Sequence, residues 1–316
     1  MSTWRKPLLA ALLLLSAVAI VACGSSNSSS SSASTSSSSA AAPSSSSSTS
    51  AASSSTGNAA VEALVPSALK SKGTLTVAAD ASYAPDEFIG SDGHTVVGMD
   101  ADLSKALAAE MGLKANIVNA TFATIIPGLA AGRYDMGASS FSDTLAREKT
   151  VDFVDYAHVG ESFYTKAAGG VSIGSISDIC GKTVSVESGT TEEADAKTQG
   201  SKCTKSGKPA VNVLVFNTQT EANLAVSSGR AQLGFADTPV ADYQVKQSSG
   251  EFKIVGAPYA TGPYGLAIPK NGLDKAVLAA LQELVKNGTY ASTLAKWGLS
   301  GIAIPASQVK INGATS

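Results

Sequence analysis

The sequence predicts an α/β fold with largely parallel sheets, because short runs rich in β-branched residues alternate with segments of helical periodicity. Residues 74–79, TLTVAA, have the composition of a strand. In residues 100–111 the side chains of Leu103 and Leu107 lie on one helical stripe, and the acidic residues at its start suit a helix N-terminus. A later internal repeat favours two lobes of similar build.

The other predicted elements continue this alternation along the chain. In order they are a strand at 115–120, a helix at 123–131, strands at 136–140 and 183–188, a polar helix from Thr190, a strand at 211–216, a helix at 219–228, a strand at 232–237, a helix at 239–248, a strand at 252–256 and a long helical stretch from Leu273 to Trp297. Strands separated by helices pair mainly in parallel.

The internal repeat consists of LAAGRYDMGASS at 129–140 and VSSGRAQLGFAD at 226–237, each a helix end, a Gly-Arg turn and a strand. Alignment places Ser140 opposite Asp237, at the carboxyl ends of strands, where ligands collect in open α/β sheets. Two interpretations stay open. Either helix-Gly-strand units of this kind recur by chance, or two similar lobes face each other and bring Ser140 and Asp237 into one cleft.

Charge and composition argue against several classes of function. The chain has 23 Lys and Arg against 25 Asp and Glu, and removal of Arg5 and Lys6 on export leaves a net charge of −4. Without a basic patch we expect no nucleic-acid partner. The two His, at 94 and 158, are far apart, so we expect no metal site, and we expect no cofactor.

The N-terminus predicts export, with a signal peptide over residues 1–22. Its apolar run, 7–21, has 15 residues, fewer than the roughly 20 of a membrane span, and matches the apolar region of a secretory signal. The end of this segment, Ile20-Val21-Ala22-Cys23, resembles the lipobox of bacterial lipoproteins. We therefore predict lipidation of Cys23, the alternative being an ordinary signal peptide with an incidental Cys.

The segment 23–57 is predicted to be a flexible tether behind the lipid. Of residues 25–56, 21 of 32 are Ser, so the segment buries too little to offset the entropy of ordering. As a random coil it reaches about 30 Å. The protein is therefore expected on the extracytoplasmic side of the cell membrane, held by the lipid.

Two cysteines remain once Cys23 is assigned to the lipid. Cys180 and Cys203 would meet in a compartment that permits disulfides. Their bridge would close a loop of about 24 residues and stabilise the fold by about 3 kcal/mol in the loop-entropy model. We favour this structural disulfide over a thiol-redox role, since the sequence has no C-x-x-C motif.

The body of the chain carries a series of motifs from about Gly73 to Trp297. They are GTLTVAADASYAPDEF, GMDADLSKALAAEMGL, FATIIPGLAAGRYDMGASSFSDTLAREKTVDFVDY, GKTVSVESGTTEE, SGRAQLGFADTPVADYQV, PYGLAIPK and NGTYASTLAKWG. In this order the series resembles the polar amino-acid receptors of ABC importers, solute-binding protein family 3. The resemblance covers nearly the whole body of the chain.

The resemblance implies a type II periplasmic-binding-protein-like fold, in which two lobes are joined by two crossing segments and close over a ligand in the cleft. The implied parts are lobe one at 58–159 plus 261–306, lobe two at 160–260, crossings near 158–163 and 257–263, and a tail at 307–316. The implied partners are a free amino acid and the transmembrane subunits of an ABC permease, and we expect a monomer.

The resemblance also implies a clamp for the amino-acid backbone. Arg147 matches the arginine that grips the ligand α-carboxylate, for which a planar, permanently charged guanidinium is suited; a surface arginine is the alternative. The backbone N–H groups of Ser142 and Thr191 match positions that hold the same carboxylate. Asp237 matches the acid that takes the ligand ammonium, and Ser140 would offer a further acceptor.

At the side-chain end of the pocket, the resemblance is less specific. Tyr83 and Phe122 match aromatic residues that sandwich the ligand side chain, although core packing would also explain them. Asp80 matches a position near this end. Asp86 stands where the family often has an aromatic residue, and the hairpin at 93–97 is longer than usual; we expect both departures near the cleft mouth.

The function predicted from these residues is non-catalytic capture of a polar amino acid and delivery to a permease. The surplus of acid from Asp80, Asp86 and Glu187 weakly favours a basic or amide side chain. Two alternatives stay open: an amino-acid sensor that feeds no permease, and a dehydratase-type enzyme on the same fold. For the enzyme, Glu187 is the only candidate general acid that we identify.

Overall fold

The computed structural model describes residues 57–315. The predicted signal peptide, the lipidated Cys23 and the Ser-rich tether lie outside the described residues. Within the described part there are nine α-helices: α1 Ala59–Leu64, α2 Ser67–Lys72, α3 Met99–Glu110, α4 Phe122–Ala130, α5 Thr191–Lys205, α6 Gln219–Ser227, α7 Thr238–Gln247, α8 Asp274–Lys286 and α9 Thr289–Lys296. None of these helices has the length and apolar character needed to cross a membrane.

The same described region contains eleven strands. They are β1 Thr74–Ala79, β2 Ser82–Tyr83, β3 Glu87–Ile89, β4 Val96–Val97, β5 Lys114–Asn119, β6 Met136–Ser142, β7 Val151–Lys166, β8 Thr183–Glu187, β9 Asn212–Phe216, β10 Leu233–Asp237 and β11 Phe252–Pro269. Eight form one sheet in the order β5-β1-β6-β11-β7-β10-β8-β9, and β2-β3-β4 form a small second sheet.

Parallel pairing is confined to the two ends of the large sheet. In the first lobe β1 pairs in parallel with β5 and β6, and in the second lobe β8 pairs in parallel with β9 and β10. The helices between these strands make the crossovers that parallel neighbours require. The predicted α/β class is confirmed.

Two long antiparallel strands, β7 and β11, connect the lobes. They pair with each other from Phe252 opposite Lys166 to Pro269 opposite Val151, and the register shifts between Val255 and Gly262. β7 also pairs with β10 of the second lobe, while β11 pairs with β6 of the first. The two predicted crossing segments thus lie in the middle of one continuous two-stranded ribbon.

Each lobe has its own apolar core. In the first lobe, α3 and α8 cover the sheet with fully buried residues such as Leu103 and Leu281. In the second lobe, α5 packs on β8 and β9 over a core that includes Val186 and Leu233. The predicted disulfide is present: Cys180 is bonded to Cys203 of α5, with their Cα atoms 5.6 Å apart.

Several features differ from the sequence prediction, which does not include α1, α2 or β7. The helical stretch predicted from Leu273 to Trp297 is broken into α8 and α9, because Gly288 adopts a left-handed φ of +84° that an α-helix does not accommodate. The strand predicted at 252–256 continues to Pro269. The small sheet was not predicted, since strands of two or three residues show no periodicity.

Candidate functional site

A small, partly enclosed cavity lies between the two lobes. All eight ligand-binding residues predicted from the sequence line it: Asp80, Tyr83, Phe122, Ser140, Ser142, Arg147, Thr191 and Asp237. They come from the carboxyl ends of β1, β6 and β10, from β2, from the turn after β6, and from the N-termini of α4 and α5. Ser140 and Asp237, the two residues aligned by the internal repeat, therefore share one cleft.

Arg147 lies in the turn that follows β6. Its Nη1 donates to the carbonyl oxygen of Ser142 at 2.7 Å, and its Nη2 donates to that of Gly189 at 2.9 Å, across the cleft. Burial lowers the pKa of Arg147, yet a guanidinium stays protonated at neutral pH. No ion pair among residues 57–315 includes Arg147. Its charge is therefore available to an anion in the cavity.

The N-terminus of α5 faces the same region. Thr190 caps the helix by accepting from the N–H of Glu193 at 3.2 Å. Thr191 is the first helical residue, so its N–H has no acceptor within the helix. The hydroxyls of Thr191 and Ser142 are 3.3 Å apart. Unsatisfied N–H groups and the helix dipole beside a guanidinium favour a carboxylate.

Asp237 ends β10 and is held by a residue of the other lobe. The hydroxyl of Tyr83 donates to Asp237 Oδ2 at 2.9 Å and accepts from the Asp237 N–H at 3.0 Å. Burial raises the pKa of Asp237 to about 7. Tyr83 itself packs into the apolar core of the second lobe. Besides the aromatic contact predicted for it, Tyr83 thus has a polar contact that sequence reasoning did not foresee.

Asp80 and Phe122 are joined at the other end of the cavity. Asp80 Oδ2 accepts from the N–H of Phe122 at 2.8 Å, and Oδ1 accepts from the hydroxyl of Ser82 at 2.7 Å. The ring of Phe122 stacks on Phe141, with 4.6 Å between centroids, and the guanidinium of Arg147 lies 5.5 Å from its centroid. One face of the cavity is therefore aromatic.

Ser140 is bonded mainly to buried acids beneath the cavity. Its hydroxyl donates to Asp86 Oδ2 at 2.9 Å, and its N–H donates to Asp100 Oδ2 at 2.8 Å. Asp86 is 0% exposed, so its expected position near the cleft mouth is wrong. Burial, and then the charge of Asp100, raises the pKa of Asp86. Burial raises that of Asp100 to about 6.

Five further residues line the cavity: Glu87, Ser139, Glu187, Thr190 and Glu192. The sequence analysis predicts Glu187 near the ligand side chain, but it does not predict Glu87 or Glu192 in the pocket. The only available signals were that Glu192 follows Thr191 in the first turn of α5 and that Ser139 precedes Ser140. Together with Asp80 and Asp237, the three glutamates place five carboxyl groups around the single guanidinium of Arg147.

Two of these glutamates have unsatisfied oxygen atoms. Glu187 is 1% and Glu192 is 2% exposed, and the Oε1 of each has no hydrogen-bond partner among the described residues. Burial, and after it the charge of Asp80, raises the pKa of Glu187 to about 10. Burial, and then the charge of Asp237, raises that of Glu192. An unsatisfied buried carboxyl is costly unless a donor or cation reaches it.

No group of three or more His, Cys, Asp or Glu side chains within residues 57–315 has the arrangement of a metal site. The cavity contains a guanidinium and a helix N-terminus that suit a carboxylate, an aspartate that suits an ammonium, and several further buried carboxyl groups. Fold and site together define a two-lobed α/β binding protein for a small zwitterionic molecule.

Comparison with known proteins agrees with this class. The model of the bacterial extracellular solute-binding proteins, family 3, matches residues 75–300, and the chain belongs to this family. The chain is 34% identical to the arginine-binding protein ArgT of Corynebacterium glutamicum over 241 residues, 76% of this chain and 79% of ArgT. It is 28% identical to the ABC transporter glutamine-binding protein GlnH of Bacillus subtilis over 209 residues, 64% of this chain and 72% of GlnH.

Solved structures give the same result for the fold. An ancestral arginine-binding protein bound to arginine matches with a TM-score of 0.66 and 35% identity, covering 72% of this chain and 98% of that one. An ancestral amino acid-binding protein described as a precursor of cyclohexadienyl dehydratase matches with a TM-score of 0.65 and 34% identity, covering 73% of this chain and 97% of that one. The predicted family, two-lobed fold and role as the substrate-binding component of an amino-acid importer are confirmed.

Proposed function

We propose that this protein captures a cationic α-amino acid of the arginine or lysine type and delivers it to an ABC permease. The observation that carries the proposal is the lining of the cavity, where five carboxyl groups accompany one guanidinium. Burial keeps acids such as Glu187 protonated, and a neutral zwitterion would leave them so, whereas a ligand with one extra positive charge would pair with one of them in its ionised form.

The backbone of the ligand is assigned to the clamp. Arg147, with the N–H groups of Ser142 and Thr191, takes the α-carboxylate, because these donors converge at the N-terminus of α5. Asp237 takes the α-ammonium and is oriented for this by the Tyr83 hydroxyl. Simple acids and simple amines satisfy only half of such a clamp, so they are bound weakly.

The ligand side chain is assigned to the end of the cavity formed by Asp80, Glu87 and Glu187, with Phe122 as the aromatic face. Both Asp80 and Glu187 line the cavity, and the charge of Asp80, after burial, raises the pKa of Glu187. A guanidinium or ammonium between them would give the unsatisfied Glu187 Oε1 a donor. ArgT and the ancestral arginine-binding structure are consistent with this choice of ligand.

The remaining predictions complete the proposed function. A lipid on Cys23 and the segment 23–57 would hold the protein on the outer side of the cell membrane, where lobes at 58–159 plus 261–306 and at 160–260 would meet the permease as a monomer. Delivery to a permease is preferred over sensing because relatives such as GlnH are named as binding proteins of ABC transporters.

The proposal includes no catalysis. The similarity to a dehydratase precursor leaves one enzymatic alternative. In that alternative Glu187, whose pKa is raised to about 10, would donate a proton to a leaving hydroxyl. Incubation of the full-length protein with prephenate and with arogenate tests this alternative. Catalytic turnover of either compound would mean that the protein is an enzyme and not a receptor.

Ligand binding is tested by calorimetry of the full-length protein in detergent against the twenty amino acids, ornithine and citrulline. We expect one or more of arginine, lysine and ornithine to bind near 1 μM, about −8 kcal/mol. Citrulline is the matched control, since it has nearly the shape of arginine without the charge. Equal affinity for citrulline and arginine would show that the acid surplus does not select a cation.

A further inference from the structure

The clamp arginine lies in a loop, residues 143–150, between β6 and β7. This loop begins at Asp143, whose N–H donates to the carbonyl oxygen of Pro263 in β11 at 2.9 Å. It ends with a turn in which Thr150 donates to the carbonyl oxygen of Arg147 at 2.9 Å. Because loops are the more mobile parts of a fold, the position of the Arg147 guanidinium depends on what holds this segment.

The chain after α9 returns to this part of the first lobe. Residues 309–315, which we call the C-terminal strap, run along the edge of β7. Ile311 forms an antiparallel bridge with Val154. Asn312 Oδ1 accepts from the N–H of Phe153 at 2.8 Å, and Asn312 donates its own N–H to the Phe153 carbonyl oxygen at 3.0 Å. The strap is therefore fixed in register on the strand that follows the Arg147 loop.

The end of the strap then contacts the loop on both sides of Arg147. The N–H groups of Gly313 and Ala314 donate to Asp143 Oδ2 at 2.8 and 3.2 Å, and the N–H of Ala314 also reaches Glu148 Oε1 at 3.3 Å. Hydrogen bonds to charged acceptors are among the stronger ones in proteins. One short segment thus binds the start of the loop and the residue next to Arg147.

The position of Gly313 shows how close this contact is. A Cβ atom added to Gly313 would lie 1.9 Å from Asp155 Oδ2, so a larger residue here requires the buried Asp155 side chain to move. Burial, and then the charge of Asp143, raises the pKa of Asp155 to about 8, while the charge of Lys310 lowers it. Burial, and then the charge of Glu148, raises the pKa of Asp143 to about 6. The strap brings N–H groups and a lysine to a cluster of acids.

The strap also ends beside the clamp itself. Thr315 lines a wider, more open recess that also contains Pro263 of β11, together with Ser142, Arg147, Thr191 and Asp237. These last four residues line the ligand cavity as well. The electrostatic influence of Asp143 extends to Arg147, whose pKa it raises against the larger effect of burial.

We propose that the C-terminal strap is a positioning element for the ligand-binding site, which holds the loop 143–150 so that the Arg147 guanidinium meets the ligand α-carboxylate. The proposal rests on the function proposed above, because it assigns the carboxylate to Arg147. A strap that only covered the edge of β7 would affect the stability of the first lobe and leave the affinity for every ligand unchanged.

The test compares the full-length protein with a variant that lacks residues 312–316, using L-arginine and its carboxyl amide, L-argininamide, as probes in calorimetry. Loss of the strap should weaken binding of L-arginine by about tenfold, within the range of ordinary coupling between sites. The affinity for L-argininamide should stay unchanged, because the amide presents no carboxylate to Arg147. Gln308→Ala, an exposed change earlier in the tail, is the matched control.

A second variant keeps the test decisive if the deletion fails to fold. Gly313→Ala adds one methyl group against Asp155 and should reduce affinity for L-arginine while sparing L-argininamide. Unchanged affinity for L-arginine in the folded deletion or in Gly313→Ala would overturn the proposal, as would an equal loss for both probes. If the unaltered protein binds no cationic amino acid, the proposed function fails, and the best-bound amino acid and its amide become the probes.

Discussion

The hydroxyl of Tyr83 and the carboxylate of Asp237, 154 residues apart in the chain, are joined by a hydrogen bond of 2.9 Å, and the N–H of Asp237 returns a second one to the same hydroxyl at 3.0 Å. The two residues belong to opposite lobes, so this pair links the lobes at the cavity wall. Since Asp237 is also the acid assigned to the ligand ammonium, this contact between the lobes and the proposed recognition of the ligand use one carboxylate.

Tyr83→Phe removes this link and leaves the ring in place. The buried Asp237 then loses a donor, which costs about 1–3 kcal/mol in the closed protein, so affinity for L-arginine should fall about tenfold. Calorimetry measures the loss. Tyr243→Phe, at a half-buried position on α7 outside the cavity, is the control and should bind as the unaltered protein does. A Tyr83→Phe protein with full affinity would show that the link does not contribute to closure.

Arg147→Ala should abolish detectable binding of amino acids. Removing one partner of a buried, hydrogen-bonded charge pair costs about 2–5 kcal/mol, which would move a micromolar ligand to the millimolar range. Arg147→Lys retains the charge without the planar fork and should recover only part of the affinity.

The control for this pair is Arg133→Ala, which removes an exposed arginine from the turn after α4. Thermal unfolding should show all three variants folded, because Arg147 contributes to no ion pair among residues 57–315. Normal binding by a folded Arg147→Ala protein would assign the carboxylate to other donors.

The affinity for L-arginine should rise with pH between about pH 6 and 8. Glu187, with a pKa of about 10, is protonated at neutral pH, and a guanidinium beside it favours the ionised form. Binding therefore expels a proton, and higher pH makes this expulsion easier. Calorimetry in phosphate and in Tris, which differ in ionisation enthalpy, counts the protons released.

Glu187→Gln removes the group that we expect to release the proton. This variant should release fewer protons, lose affinity for L-arginine and discriminate less between L-arginine and citrulline. Glu251→Gln, an exposed change in the second lobe, should behave as the unaltered protein. Proton release that is the same in Glu187→Gln would place the ionising carboxyl elsewhere in the cavity.

The sequence predicted the parts of the fold and site that depend on local pattern. β1 has the predicted limits, 74–79, because the β-branched and apolar residues that favour a strand lie within that segment. The eight predicted site residues meet in one cavity, because motif positions at strand ends transfer between relatives of one fold. Where a residue lies at such an end, its chain position already determines which cleft it faces.

The remainder depends on contacts between distant segments. Asp100 suited a helix N-terminus from its position, yet it is buried and accepts from Tyr156, 56 residues away. The Tyr83–Asp237 link and the strap on Asp143 likewise join residues more than 150 positions apart. Periodicity along the chain does not predict such pairs. For the same reason, the number of carboxyl groups in the cavity could be found only from the structure.

Asp155 predicts how the stability of the protein depends on pH. Its folded-state pKa of about 8 lies above the value of about 4 for an aspartate in an unfolded chain. Between these values the folded protein binds more protons than the unfolded chain, so the free energy of unfolding falls as pH rises. The melting temperature should therefore decrease from pH 5 to pH 8. Asp155→Asn, which cannot ionise, should show a shallower decrease, while Glu251→Gln should follow the unaltered protein. A slope that is the same in Asp155→Asn would mean that Asp155 is ionised throughout this range, with the charge of Lys310 outweighing its burial.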